Sequence, residues 1–521
     1  MSDTLLLLSG RIHTLGSDPR PVEALAIRAG RIAAVGSNDE ARRAVDSPSR
    51  TIDLAGKSVL PSFSDSLGRL HYEAMARIHV DLSRESSIPE TFAVVERFAK
   101  ALPRDNWIVG YGWNKWHWGW KRFPHRADLD LVSPHHPVFL LSSDGRVAWL
   151  NSAAIDLLGI GHDTPNPPGG EVERDRATHA ATGILKESAV EIFSRHLPTP
   201  SPSKLENAFQ MVAKEYFRKG VTFVQSHSAA EEFAVLKSLD DRNALNLRVL
   251  VHAPGAMLES FLKEGWKSGR RFNRLEMGGS WLAIDGTLAS QTAWMTEPYV
   301  DDWNNLGVQR VGKDDLETWV EKWSQWEVPP VLHASGDAAC RLSLGVFSEL
   351  CGRSERLRPL LVNGDLLSPG DLASVLESGV DVAVNPRRIE SEHDVGFHYL
   401  GKRWNRGLEL KGWVRNGARL QFGSGEPLSR WSPLVALQVA VAATAGREPL
   451  TLEEALRAAC RRWSPLEGAS DPRLSPGEPA DLVILSEDPA EVPKERIGGI
   501  EVLATVLDGE VVYEKEETLQ A

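Results

Sequence analysis

At 521 residues the chain is too long for one ordinary globular domain, whereas a (β/α)8 barrel of roughly 250 residues with additions would absorb it. The apolar fraction of 42% and charged fraction of 25% suit a globular protein in water, and no apolar run approaches the ~20 residues that span a bilayer, so a membrane partner is not expected. A formal charge of −12 argues against nucleic acid, whose phosphates need a basic face. The Leu5–Leu8 run is too short for a signal peptide. Cys340, Cys351 and Cys460 show neither CxxC spacing nor an even-numbered framework, which suits buried thiols in a reducing, cytoplasmic setting.

In chain order, residues 4–57 contain short apolar runs separated by turn signals such as Ser9-Gly10-Arg11, Ala29-Gly30-Arg31 and Ala55-Gly56-Lys57, the texture of hairpins. The far end repeats it at 480–485, 502–507 and 510–513 around Asp508-Gly509. Open sheet edges are disfavoured, so both ends are expected to join in one composite β-sandwich, 1–60 with 468–521. Between them strand-like runs alternate with helical patterns, as in parallel β/α units. Candidate strands fall at 59–63, 107–112, 138–141, 221–225, 247–251, 281–284, 330–333, 360–362, 380–384 and 419–422, and helices at 90–102, 204–219, 313–326 and 453–459. That is more strands than a barrel needs, so about 80–210 is read as an insertion within a barrel spanning 61–467. The insertion holds Trp107, Trp113, Trp116, Trp118 and Trp120, either a pocket wall with Trp113 as a binding residue or the core of an irregular segment.

Several landmarks together resemble amidohydrolase family 3, the YtcJ-like branch of the metal-dependent amidohydrolases. They are Ser9-Gly10-Arg11-Ile12, Pro61-Ser62-Phe63-Ser64-Asp65, Trp107 to Trp113, Asn151-Ser152-Ala153-Ala154, Thr182-Gly183-Ile184-Leu185, Asp285-Gly286-Thr287-Leu288, His333-Ala334-Ser335-Gly336-Asp337, Gly423-Ser424 with Pro427, and Ala480-Asp481-Leu482-Val483-Ile484. The resemblance implies an α/β fold, a TIM-like barrel with metal ligands and catalytic groups at the C-terminal strand ends, and hydrolysis of non-peptide carbon–nitrogen bonds. It also implies where this chain departs. The two strand-1 histidines fall at Leu67 and Arg69, the bridging lysine at Trp281, the strand-6 histidine at Asn363 and the strand-8 aspartate at Gly425; a substrate-side histidine becomes Arg146, and the strand-5 histidine remains as His333.

Leucine, tryptophan and glycine side chains offer no metal donor, and arginine does not deprotonate in proteins. One surviving histidine cannot hold a zinc, so no cofactor is expected and the family metal centre is read as lost. Two functions follow. The first is a hydrolytically impaired homologue binding a small molecule at the barrel mouth through Arg69, Arg146, Trp113, Trp281, Asn363 and Glu426, an anion being one option given the two arginines. The second is an active amidohydrolase using a relocated zinc on His227 and His333, or a metal-free acid/base pair of His333 with Asp285. For Arg69 and Arg146 an internal salt bridge that fills the vacated space is an equal reading. Asp337 reads as a helix cap, Lys186 as a solvated helix start, and a homo-oligomer stays open.

Overall fold

The computed structural model describes residues 4–515 apart from 46, 121, 228–229, 354–356, 368, 372–379, 426, 428–429 and 443–445. Eight strands form one parallel sheet in chain order: β1 (Phe63–Asp65), β2 (Val221–His227), β3 (Arg248–Pro254), β4 (Leu275–Ala283), β5 (Pro330–Ala334), β6 (Leu360–Asn363), β7 (Asp381–Val384) and β8 (Arg419–Phe422). The seam between β8 and β1 is bridged by the Ser66 N–H donating to the Phe422 carbonyl at 3.1 Å and the Gly425 N–H to the Leu67 carbonyl at 3.3 Å. The expected TIM-like barrel is therefore present.

Its layering follows the two-residue period of a strand. Phe223, Leu250, Val331, Leu360 and Ala383, from five strands, meet inside the barrel. Their neighbours Val224, Val249, Val251, Leu332, Leu361, Val382 and Leu420 point outward into a larger core shared with the surrounding helices. Trp463 and Ala469, from the hairpin Arg462–Ser464 and Gly468–Ser470, join the interior group, and the Ala469 N–H donates to Asp381 at the first residue of β7, so this hairpin closes the N-terminal end.

The sandwich is built from both chain ends. One sheet orders Arg31–Gly36, Ala24–Arg28, Thr4–Leu8 and Arg50–Asp53; the other orders Arg11–Ile12, Ser58–Pro61, Leu482–Leu485, Val502–Leu507 and Glu510–Glu514. Leu5, Leu7, Leu25, Ile27 and Ile52 from the first sheet bury against Val59, Leu482, Ile484 and Val506 from the second. Asp508 and Gly509, with φ of 51° and 77°, make the two-residue turn of the last hairpin, for which positive φ at both central positions matches strand twist.

Two expectations need correction. The run at 59–63 is not one barrel strand. Ser58–Pro61 pairs antiparallel with Leu482–Leu485 in the sandwich, the chain turns at Ser62, and Phe63–Asp65 pairs parallel with β2. Periodicity cannot see a strand that changes sheets without a loop. The β4 strand begins at Leu275, well before 281, because Gly278 and Gly279 interrupt its apolar pattern. The strand-like runs near 107 and 138 lie in a separate six-stranded sheet ordered Gly170–Arg174, Ala181–Glu187, Val147–Leu150, Val138–Ser142, Ile108–Trp113 and Val80–Asp81.

Candidate functional site

The C-terminal ends of the barrel strands are organised by Asp65. This buried carboxylate accepts bonds from the Leu67 N–H at 3.0 Å, the Ser424 N–H and hydroxyl at 2.7 Å each, and the Tyr216 hydroxyl at 2.9 Å. Burial raises its pKa against the pull of those donors. The bonds from Ser424 hold β8 to β1, and Leu67, two residues after Asp65, packs onto the barrel interior with Phe223, Leu250 and Val331. A Cβ on Gly423 would lie 2.3 Å from the Leu67 nitrogen, so β8 approaches this closely only because position 423 lacks a side chain. At the position to which the resemblance assigns the first metal-binding histidine stands the apolar Leu67 side chain.

Arg69 lies beyond it. Its guanidinium sits 4.0 Å from the centre of the Tyr72 ring and donates to the Ser143 carbonyl at 2.9 Å. Among the described residues no carboxylate is within ion-pair distance, and burial lowers its pKa, partly offset by the Tyr72 and Asp144 fields. Arg146 is held more loosely, 3.4 Å from Glu187, a buried carboxylate that also accepts from Arg310 at 2.6 Å and from the Thr292 hydroxyl at 2.6 Å. Asp144 accepts from Thr287 at 2.7 Å and Ser290 at 2.5 Å, so the extra sheet is fastened to the loop after β4 by two carboxylates.

On the barrel side, Trp281 stacks on His227 with ring centres 4.2 Å apart and planes 11° apart. Burial first, then the Arg69 and Arg146 charges, hold the His227 imidazole down to about 3, so it is neutral at physiological pH. His333 is also buried, and its pKa is pushed well below the usual value by burial and then by Arg146. Its Nε2 is 2.9 Å from Asn363 Nδ2, which also donates to the Ser335 hydroxyl at 3.1 Å. With the amide nitrogen as donor, Nε2 is the acceptor and the ring proton resides on Nδ1.

Asp285 and His333 lie side by side without a hydrogen bond between them. Its carboxylate accepts the N–H groups of Trp294, Ser335 and Gly336 at 2.7–2.9 Å and stands 3.7 Å from His333 Nδ1. Burial pushes it up to about 7 even so. It reads as a clamp joining the β4 loop to the end of β5. Of its two readings Trp113 takes the second: it is core, not a binding residue, stacked on Trp118 at 5.6 Å and donating its indole N–H to the Leu140 carbonyl at 2.8 Å. Lys186 is no solvated helix start; it lies in a strand between Glu171 at 3.1 Å and Glu173 at 2.9 Å. Asp337 starts its helix and anchors the Thr296 N–H at 2.9 Å. Glu426 lies outside the described residues.

Asp144 and Glu187 were absent from the expected set, although Asp144 lies two residues before Arg146 and Glu187 two residues after Thr182-Gly183-Ile184-Leu185. Reading the acidic residues that flank those positions would have found both. The buried hydrogen bond from the Gln225 Nε2 to the Gln421 Oε1, 2.7 Å long and joining the two strands that flank β1, carries no sequence signal.

A divalent metal does not fit this donor set. Leu67, Trp281 and Gly425 bring no donor, Arg69 brings a cation, His333 Nε2 is engaged by Asn363, and His227 lies stacked on an indole. Among the described residues no group of three or more His, Cys, Asp or Glu is placed to hold a metal ion. Among those residues also, no helix is long and apolar enough to cross a membrane.

A model of the amidohydrolase family matches residues 50–513. The amidohydrolase-like protein YtcJ of Bacillus subtilis is 25% identical over 97% of this chain and 98% of its own length. The N-substituted formamide deformylase of Arthrobacter pascens is 24% identical over 98% of each. The crystal structure of an uncharacterised metal-dependent hydrolase from Pyrococcus furiosus superposes with a TM-score of 0.72 at 25% identity, covering 94% of this chain and 100% of that one.

Proposed function

The chain belongs to the amidohydrolase family, and we propose that within it this protein is a hydrolytically impaired homologue that binds a small anion at the barrel mouth. The observation that carries the reading is Leu67: its side chain, at the position the resemblance gives to the first metal ligand, packs into the barrel interior. The anion is favoured by Arg69, a largely buried guanidinium with one carbonyl bond, an aromatic neighbour and no described carboxylate partner, with Arg146 contributing to the same field at His227. A planar carboxylate would complete the donor fork of Arg69.

Two measurements test it. Protein purified without chelator is expected to carry well under one equivalent of Zn, Fe or Mn by elemental analysis; stoichiometric metal removed by His333→Ala would overturn the reading. Small carboxylates are expected to raise the melting temperature of the native chain, and Arg69→Leu to weaken that binding by ~30-fold, the equivalent of about 2 kcal/mol for a charged hydrogen bond. Arg69 also supports the 142–146 turn, so the readout is the ligand-induced shift of each variant relative to its own ligand-free protein. Turnover of N-substituted formamides or cyclic amides that depends on His333 would instead favour the active-hydrolase reading.

A further inference from the structure

The floor and the rim of the barrel mouth are chemically opposite. Trp281 and Val362, both partly exposed, pack on the interior group that holds Leu67, Phe223, Leu250 and Val331, so the floor is apolar. The rim carries the guanidiniums of Arg69 and Arg146, whose side chains are also partly exposed. The Leu70 N–H donates to the Ser226 hydroxyl at 3.2 Å, which ties the residue after Arg69 to the residue before His227 and sets the rim cation beside the His227–Trp281 stack. After burial, the Arg69 charge is the largest influence on the His227 imidazole, ahead of Arg146.

Arg69 is held in a fixed pose. One face of its guanidinium lies 4.0 Å from the centre of the Tyr72 ring, and the Ser143 carbonyl takes an N–H at 2.9 Å. Gly145, at a φ of 72°, gives it room: a Cβ there would lie 2.3 Å from the Arg69 Nη2. A guanidinium pinned in this way loses little freedom when it takes up a ligand. The nearby Asp144 carboxylate acts on Arg69 only through its field, because its oxygens are engaged by Thr287, Ser290 and the Arg146 N–H. His227 is neutral, so the imidazole stacked on the indole adds a flat, uncharged surface and not a third cation.

We propose, building on the anion-binding reading of this mouth, that its ligand is an aromatic carboxylate. The carboxylate accepts from the Arg69 fork, and the ring lies flat against the His227–Trp281 pair over the floor made by Leu67 and Val362. An inorganic phosphate or a short aliphatic acid would satisfy the guanidinium and leave the apolar floor in water. A saturated ring would cover the floor without the stacking that a planar ring gains, a difference of about tenfold in affinity. Trp281 stands at the position the resemblance gives to the bridging lysine, so the replacement that removes a metal donor supplies the ring that selects this ligand.

Isothermal titration calorimetry of the full chain with benzoate and with cyclohexanecarboxylate tests this. The wild type is expected to bind benzoate ~10-fold more tightly than the saturated acid. Trp281→Leu is expected to abolish that preference while changing the affinity for cyclohexanecarboxylate less than ~3-fold, and Trp281→Phe, which keeps a ring, to retain it; Arg69→Leu is expected to weaken both acids. Circular dichroism of each variant checks that the fold is kept, and the phenylalanine variant reports on stacking even if leucine disturbs the strand end. Equal affinities in the wild type, both lowered by Arg69→Leu, would overturn the aromatic ligand and leave the anion reading standing. A benzoate preference that survives Trp281→Leu would also overturn it, and no binding of either acid would overturn both readings.

Discussion

Asp65→Ala is expected to lower the free energy of unfolding by about 4 kcal/mol, read as a fall in the urea midpoint at unchanged slope. The carboxylate is buried and receives four hydrogen bonds from three residues. Alanine removes every acceptor at once. The Ser424 hydroxyl can fall back on the Leu67 carbonyl at 3.4 Å, but the Leu67 and Ser424 N–H groups and the Tyr216 hydroxyl are left buried. Each such orphan costs about 1–3 kcal/mol, less what local relaxation recovers. Tyr216→Phe deletes one donor and its hydroxyl together and should cost only about 1 kcal/mol, which separates the hub from its spokes. A loss for Asp65→Ala no larger than for Tyr216→Phe would mean that the seam between β8 and β1 is held by backbone alone.

The second large effect is on pH dependence. Asp481, on the sandwich side, receives Arg248 at 2.7 Å, Arg462 at 2.9 Å and the Asp508 N–H at 2.9 Å, and is almost fully buried. Despite that burial the Arg462 and Arg248 charges hold its pKa down to about 2. A carboxylate whose folded pKa is depressed adds stability that is complete above its unfolded value of ~4 and disappears as pH falls through the folded value. The shift corresponds to about 2 kcal/mol, so the Asp481 contribution of that size should be lost between pH ~5 and ~2, read as the difference between the wild-type and Asp481→Asn profiles over that range. Asp285, at about 7, and Asp365, at about 6, act with the opposite sign: the folded state binds their protons more tightly, so they make stability fall as pH rises from ~4 toward 7. The two trends place maximum stability between them, below neutrality. A wild-type profile that rises steadily to pH 7 would contradict the raised values of Asp285 and Asp365.

Much of this architecture was legible because its signals are local. The helix at 313–326 and the hairpin around Asp508-Gly509 follow from helical periodicity and turn chemistry, and the alternation of strands with helices implied the barrel. The composite sandwich was legible from matching textures at the two ends. What sequence patterns could not carry was partnership at a distance. Pro61 and Phe63 sit two residues apart in different sheets, and Trp113 in a tryptophan-dense run is core because Trp118 and Trp149 surround it. The strand-end positions of Leu67, Arg69, Trp281, His333 and Asn363 were expected from the resemblance. That Asp285 would spend its carboxylate on three backbone N–H groups required the fold.

The composite sandwich also sets a timetable for biosynthesis. Ser58–Pro61 leaves the ribosome early, but its antiparallel partner is Leu482–Leu485, and the β1 seam waits for Ser424. Throughout most of translation one edge of the N-terminal strands stays unpaired, a hazard for association with other nascent chains. Such long-range pairings also make closure slow. Chains stopped before residue 482 should accumulate in aggregates, because Ser58–Pro61 then lacks its antiparallel partner.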